Sequence, residues 1–144
     1  AHVHEDATLQ GPVVVGPDSE IGAGAVLGPN TALGDNTTVG ANATVQNSVL
    51  GVDTRVDAGA TLVDTITGQD VTLGVETVVP GGPADVQVGT DVFEGQELGA
   101  VFADRARTRG NVSVSPGTLI GPSATLHAGV HAFGHVEEGA EVVR

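Results

Sequence analysis

The sequence has no Cys, Met, Trp, Tyr or Lys, and only three of its 144 residues are Phe. Aromatic and methionine side chains normally fill the space between packed elements, so their scarcity argues against an ordinary globular core. The missing cysteines exclude disulfides and thiol chemistry. No apolar run reaches the length of a membrane-spanning helix, and no signal-peptide pattern is present. The chain begins at Ala1 rather than Met, which suggests a processed or trimmed piece of a longer protein.

Charge is the second imbalance, because five arginines stand against eighteen acidic residues and give a formal net charge of −13. Such a surface repels nucleic-acid backbones and anionic membranes, so neither is an expected partner. Carboxylates without lysines are typical of adaptation to molar salt, where screening removes self-repulsion. An ordinary acidic protein that does not depend on salt is the alternative. We expect a soluble, cytoplasmic protein.

A repeat of six residues occupies most of the chain. An aliphatic residue recurs without a miss at Val3, Leu9, Val15, Ile21, Leu27, Leu33, Val39 and Val45, and a small or short residue follows four positions after each. This spacing does not match the i, i+3, i+4, i+7 pattern of an amphipathic helix. Each hexapeptide is instead predicted to form one short strand with both residues pointing inward, followed by a tight corner at Gly or Asn. Three such sides close one triangular coil, and the coils stack at the usual strand spacing of about 4.8 Å.

Changes in the period divide a single domain, residues 1–144, into regions. The predicted regions are regular coils at 3–79, a loop excursion at 80–101, further coils at 102–131 and a C-terminal cap at 132–144, which together make about six or seven coils. Within the first region, 45–61 and 62–78 align as two coils of seventeen residues. Within the excursion, alternating valines predict that part of the segment pairs as strand. The predicted fold class is all-β, a parallel β-helix.

The pattern [LIV]-G-x-x-[small]-x resembles the left-handed β-helix of hexapeptide-repeat acyltransferases, and the left hand is implied by that resemblance. A closer resemblance is to the C-terminal domain of archaeal sugar-1-phosphate nucleotidylyltransferases, some of which also acetylate hexosamine 1-phosphates. The NSVLG and DTITG segments of 47–68 carry it, together with LGAVFADRARTRGNVSVSPGTLIG at 98–121. The resemblance implies an N-terminal nucleotidylyltransferase domain in the parent protein. The flat faces of such a solenoid favour cyclic closure, so we expect a homotrimer in which the 80–101 excursion reaches a neighbouring copy.

The chain departs from this family in two ways. No Gly-rich nucleotide loop with its Arg occurs, so the nucleotidylyl-transfer domain is absent from the sequence. Relatives that acetylate also carry a His in the loop after the middle repeats, in a context resembling Leu-Arg-His-Asp. The corresponding stretch here, 79–85, reads Val-Pro-Gly-Gly-Pro-Ala-Asp and contains no His. The expected catalytic base is therefore missing at that place.

Three of the five arginines alternate along one rung, at Arg105, Arg107 and Arg109. The planar guanidinium group suits phosphate because it forms bidentate, charge-assisted hydrogen bonds. A sugar phosphate, a nucleotide or a coenzyme A phosphate is the candidate ligand, and Asn111 is placed to orient it. The alternative is that these arginines pair with carboxylates of a neighbouring subunit.

His127, His131 and His135 lie four residues apart, a spacing that would suit a metal site on a helix but not on a coil. The first two fall at outward positions, and either is a weak candidate for a catalytic base at a subunit interface. No metal site is expected. The isolated acidic turn residues do not supply the six to eight oxygens of a calcium site. The threonines form no regular ranks such as an ice-binding face requires.

Two functions from different classes remain open. In the first, the chain is the trimerising scaffold domain of a sugar-1-phosphate nucleotidylyltransferase and has no cofactor or chemistry of its own. In the second, it is an acetyltransferase that uses acetyl-CoA to modify an amino-sugar phosphate at the subunit interface. The missing loop His favours the first function, and the arginine cluster favours the second.

The charge imbalance predicts that salt stabilises the protein. Screening relieves the repulsion among eighteen carboxylates, so the thermal midpoint is expected to climb as sodium or potassium chloride rises from low to molar concentration. Melting curves recorded by circular dichroism at a series of salt concentrations test this. A midpoint that does not respond to salt would rule out the halophilic interpretation.

Overall fold

A computed structural model of the protein describes residues 1–88 and 91–144, and the side chains of these residues except 84–88, 91 and 93–97. In this described part the chain forms twenty-four short strands, numbered β1 to β24 in chain order, and no helix. No element there has the length and apolarity of a membrane-spanning helix. All but two of the strands belong to three parallel sheets, which the chain visits in turn.

The three sheets form the faces of a triangular prism, here called faces A, B and C. Face A consists of β1 (His2–Val3), β4 (Glu20–Ile21), β7 (Thr38–Val39), β10 (Arg55–Val56), β13 (Thr72–Leu73), β18 (Arg107–Thr108), β21 (Thr125–Leu126) and β24 (Glu141–Val142). Face B consists of β2 (Thr8–Leu9), β5 (Val26–Leu27), β8 (Thr44–Gln46), β11 (Thr61–Val63), β14 (Val78–Val79), β19 (Ser113–Val114) and β22 (His131–Ala132). Face C consists of β3 (Val13–Val15), β6 (Thr31–Leu33), β9 (Val49–Leu50), β12 (Thr65–Thr67), β17 (Ala100–Phe102), β20 (Thr118–Ile120) and β23 (His135–Val136). The predicted fold, a left-handed parallel β-helix, is confirmed, with about seven coils.

The register between rungs follows the sequence period. Val3 pairs with Ile21 eighteen residues later, whereas Val39 pairs with Val56 after seventeen, which is the shortened coil predicted for the middle of the chain. The spacing between the last two rungs of face A is shorter still, because Leu126 pairs with Val142 after sixteen residues. Parallel pairing therefore continues through the segment 132–144, where the sequence had predicted a cap. The corners of this coil contain two residues fewer than usual. The coil therefore departs from the six-residue period and could not be predicted from it.

The excursion in the repeat contains an antiparallel hairpin, β15 (Pro83–Val88) and β16 (Asp91–Glu97). It confirms the strand pairing predicted there from the alternating valines. The hairpin is inserted between β14 and β17, at the edge where face B meets face C. Ala100 and Val101, which the sequence had placed in the excursion, already belong to face C, since Ala100 pairs with Thr65.

The core is a column of the inward aliphatic residues that the six-residue period predicts. Leu27, Leu62, Leu73, Phe102 and Ile120 are all buried. Each such side chain contributes about 1.5–3 kcal/mol relative to exposure in water. The first coil is the exception, because no rung covers Val3 and Leu9 and both are exposed.

The glycine that follows each aliphatic residue is required by close approach between rungs. A Cβ atom built on Gly40 would lie 2.6 Å from the Ala58 nitrogen of the next coil. The sequence had assigned these glycines to the special conformation of the corner, but that conformation belongs mostly to residues two positions later. Asp18, Asn36 and Asn42 are examples, each with φ between 55° and 63°.

Buried threonine and serine hydroxyls bind one another or the backbone inside the column. Thr67, the polar defect in the stack, accepts a hydrogen bond from the Gly51 amide at 3.0 Å and lies 3.2 Å from the Thr54 hydroxyl. Thr77 and Thr108 form a second pair at 2.7 Å. In the described residues no buried side-chain polar atom lacks a partner. These hydroxyls are therefore integral to the core.

Replacing Thr67 with Val is expected to destabilise the fold, although Val is the more apolar residue. The Gly51 amide would lose its acceptor, at a cost of about 1–3 kcal/mol. The matched variant Thr67→Ser keeps the hydroxyl and should lose less. Chemical denaturation of both variants at molar salt tests this, and a Thr67→Val protein as stable as the parent would contradict the assigned role.

Candidate functional site

The three clustered arginines lie on one coil and point outward across the width of face A. Arg107 is on β18 at the centre of the face, Arg105 at the edge with face C and Arg109 at the edge with face B. They alternate with Ala106 and Thr108, which are buried. The strand period of two thus places all three guanidinium groups on the outside. We call Arg105, Arg107 and Arg109 the arginine band.

Among the described residues, no carboxylate lies within 4.0 Å of any arginine of the band. Arg55, also on face A, behaves differently because its Nε lies 2.7 Å from Oδ1 of Asp57. Hydrogen bonding to Asp57 and its negative charge raise the pKa of Arg55. Arg107 is flanked in the ladder by Thr72 and Thr125. The band therefore leaves positive charge available to an anion on an otherwise acidic molecule.

Arg105 has an unusual backbone conformation for its residue type. Its φ is 63°, in the left-handed region that Asn, Asp and Gly adopt most readily. Asp53 and Asp70 occupy the equivalent corner of earlier coils with similar φ values. The Arg105 side chain donates a hydrogen bond from Nε to Oγ of Ser123 at 3.2 Å. This backbone conformation lowers the stability of the fold when an arginine adopts it. Backbone strain of this kind is more common where a side chain serves a function.

His127 lies at the A–B edge, one rung beyond Arg109, and it has a carboxylate partner. Its Nε2 is 3.2 Å from Oε1 of Glu141 on β24. The Arg109 amide donates to the carbonyl of Leu126, the residue before His127, which fixes the two corners in adjacent rungs. A histidine paired with a carboxylate can accept a proton and be stabilised once charged.

His131 lies on face B, where both ring nitrogens contact serine hydroxyls. Nδ1 is 2.7 Å from Oγ of Ser113, and Nε2 is 2.9 Å from Oγ of Ser115. The ring is also 6.3 Å from that of Phe133, centre to centre. Because both nitrogens are engaged, His131 is less available as a base than His127.

Asn111 is separated from the arginine band by the corner of the coil. Its φ is 49°, and its amide donates to the Val75 carbonyl. It lines a shallow groove of about 370 Å³ with Gly59, Glu76, Val78, Val112 and Ser113. The carboxylate of Glu76 disfavours an anionic ligand in this groove. The structure thus brings together Arg107, Arg109 and His127, and it sets Asn111 and His131 apart on the side of face B.

The described residues contain no group of three or more His, Cys, Asp or Glu side chains placed to hold a metal ion. His135, the third histidine of the C-terminal series, lies on face C, away from the other two. Sequence reasoning did not find Glu141 as the partner of His127. The last coil has sixteen residues, and this length brings β24 beside β21. A six-residue period does not reveal this pairing.

The fold defines the class of protein first. Three parallel sheets built from a six-residue repeat, with flat faces and polar corners, are the architecture of hexapeptide-repeat proteins. A family model described as the GMPPB C-terminal domain matches residues 9–127. The chain belongs to this family, the β-helix domain of sugar-1-phosphate nucleotidylyltransferases. The resemblance identified in the sequence is thereby confirmed at the level of family.

Solved structures with similar folds include several acyltransferases. A hexapeptide transferase family protein from Anaplasma phagocytophilum shares 20% identity, with a TM-score of 0.59 over 93% of this chain and 74% of that one. A putative acetyltransferase from Bacillus cereus shares 13% identity, with a TM-score of 0.62 over 98% and 72%. LpxA, a UDP-N-acetylglucosamine acyltransferase from Bacteroides fragilis, shares 12%, with a TM-score of 0.59 over 99% and 69%. At these identities the likeness concerns the fold alone. No curated protein sequence matches the chain significantly.

Replacing Arg105 with Asn is expected to stabilise the fold by roughly 1 kcal/mol, because Asn tolerates the left-handed conformation. The matched variant Arg107→Asn removes the same charge from a strand with no such strain and should not stabilise. Thermal or chemical denaturation of the two variants compares them directly. If the Arg105→Asn variant is less stable than the Arg107→Asn variant, Arg105 contributes to the stability of the fold.

Proposed function

We propose that this domain is an assembly module, which forms a homotrimer and thereby holds three copies of a nucleotidylyltransferase together without chemistry of its own. The observation that carries the proposal is the match to a C-terminal domain family over 9–127, on a prism whose coils are regular along its length. Flat faces and nearest-neighbour packing suit cyclic closure. A cytoplasmic location and a salt-adapted source are part of the same proposal.

The segment that precedes the hairpin supports a structural role. Residues 79–85 read Val-Pro-Gly-Gly-Pro-Ala-Asp, and Asp85 is their one titratable side chain. Gly81 and Gly82 both have positive φ values, at 72° and 120°, so this stretch is built to turn the chain out of the coil. Because an ordinary aspartate is too weak a base for this step, a proton acceptor for acetyl transfer would have to come from elsewhere on the surface.

Light scattering coupled to size-exclusion chromatography at molar salt tests the assembly. The expected mass is three times that of the 14.3 kDa chain. Measurements at decreasing salt should show weaker association, since each copy carries a net charge of −13. A monomer at molar salt and at all protein concentrations would contradict the proposed trimer.

A second candidate function is acetyl transfer from acetyl-CoA to an amino-sugar phosphate, and one observation favours it. His127 is paired with Glu141 one rung from Arg109, so a base and a phosphate-binding group lie side by side. The amine nitrogen would attack the thioester carbonyl, the carbon–sulfur bond would break and coenzyme A would leave. His127 would take the proton from the amine, and the arginine band would hold the phosphate. A neighbouring copy packed against this exposed A–B edge would be needed to cover it, and packing through face C, which lies opposite the edge, would not do so.

The two functions are distinguished by incubating the protein with acetyl-CoA and glucosamine 1-phosphate or galactosamine 1-phosphate at molar salt, and following the release of free thiol. The assembly proposal predicts release no faster than in the absence of protein. The sequence has no cysteine, so the thiol signal has no protein background. Turnover that is lost in His127→Ala and kept in His131→Ala would instead establish the second function and assign the base.

A further inference from the structure

The outward side chains of face C form an apolar ladder along the prism. Strand pairing aligns Val14 with Ala32, Ala32 with Val49, Val49 with Ile66, Ile66 with Val101, and Val101 with Leu119. Four of its large aliphatic side chains are exposed, Val14 at 65%, Val49 at 52%, Ile66 at 47% and Leu119 at 37%. Only His135, at the C-terminal end, interrupts the apolar character of the described ladder.

The other two faces present polar side chains at the same positions. The outward ladder of face A is His2, Glu20, Thr38, Arg55, Thr72, Arg107, Thr125 and Glu141. That of face B is Thr8, Val26, Thr44, Thr61, Val78, Ser113 and His131. A sheet with one side in water normally alternates apolar-in and polar-out, as faces A and B largely do. Face C breaks this rule on six consecutive rungs.

The size and shape of the ladder suit the core of an interface. Seven rungs at about 4.8 Å span about 29 Å, and strands of three residues are about 10 Å long, so the strip covers roughly 300 Å². Contiguous apolar patches of this size on a monomer often mark interaction sites. A strip of this area is smaller than a whole interface of ~800 Å² per partner, so the edges beside it would form the polar rim.

We infer that face C is the surface through which copies of this chain pack against one another, an inference that rests on the proposed trimer and names its interface. The straight ladder requires a partner that is equally straight over the same length, and a second copy of the same prism fulfils this. Each copy carries a net charge of −13, so close approach is favoured along a surface without carboxylates. This argues against face A, whose outward ladder contains Glu20 and Glu141, whereas the ladders of faces B and C contain no acidic residue. Face C is preferred over face B because its ladder is apolar on six consecutive rungs.

The rim of this interface explains why association should depend on salt. The edge between faces C and A carries Asp18, Asp53 and Asp70, which are exposed. With face C towards a threefold axis, this edge faces the B–C edge of the neighbouring copy, which carries Asp64, and the carboxylates of the two edges repel each other. Screening at molar salt removes most of that repulsion and leaves the apolar contact, whose strength does not depend on charge.

Cysteine crosslinking tests the inference. The sequence has no cysteine, so an introduced thiol is the only one that reacts. Single variants Val49→Cys and Ile66→Cys place a thiol on face C, whereas Thr61→Cys and Thr38→Cys place one on faces B and A. The full chain at molar salt is treated with a short bis-maleimide and separated under denaturing conditions. We expect covalent dimers from the two face C variants at least tenfold faster than from the two controls.

The outcomes separate this inference from the trimer on which it rests. If light scattering shows a trimer but Thr61→Cys or Thr38→Cys crosslinks fastest, another face is the interface and the inference is wrong while the proposed assembly stands. If the parent chain is a monomer, both are wrong. As a second measurement, Ile66→Glu should shift the mass at molar salt from trimer to monomer, and Thr61→Glu, with the same added charge on face B, should leave the trimer intact. A trimeric Ile66→Glu protein would overturn the inference.

Discussion

The stacking of identical rungs is the constraint on which the rest of this structure depends. Each coil forms its backbone hydrogen bonds with the coils before and after it, so a side chain is fixed by its place in the rung and by the residue one period away. This requirement explains the inward aliphatic column, the glycines such as Gly40 that allow adjacent rungs to touch, and the corners at positive φ. It also explains how a chain with three phenylalanines has a continuous core: a prism of this width needs only one Val, Leu or Ile per side.

The same stacking sorts the outward residues into ladders, and the three ladders differ in chemistry. Face A carries the arginine band in its C-terminal half, face B carries mainly hydroxyl side chains and His131, and face C is apolar. An assembly role and a ligand-binding role would therefore use different faces of one prism. The A–B edge, where Arg109, His127 and Glu141 meet, is the place at which chemistry would occur if the second proposed function holds.

Much of the fold was predictable from the sequence because the repeat is periodic. Most inward residues, the seventeen-residue coils and the strand pairing inside the excursion followed from spacing. The prediction was wrong for Val49, four residues after Val45, which points outward on face C and is 52% exposed because the shortened coil lacks one corner residue. The last coil could not be predicted, since the step from Leu126 to Val142 is two residues short of the common eighteen. For the same reason the Glu141 partner of His127 was missed. The arginine band was found by its alternation, but Asn111 was grouped with it because sequence distance does not show that a corner turns it towards Glu76. The apolar ladder of face C becomes visible only when the three faces are separated.

The central claim is that this prism works as a threefold bundle of parallel copies. Small-angle X-ray scattering at molar salt tests it directly, because the cross-section of the particle reports how many prisms lie side by side, independently of their length. The account predicts a particle with three times the mass of the chain, about as long as one prism and clearly wider. Scattering with the mass and cross-section of a single prism, or with the length of prisms joined end to end, would contradict it.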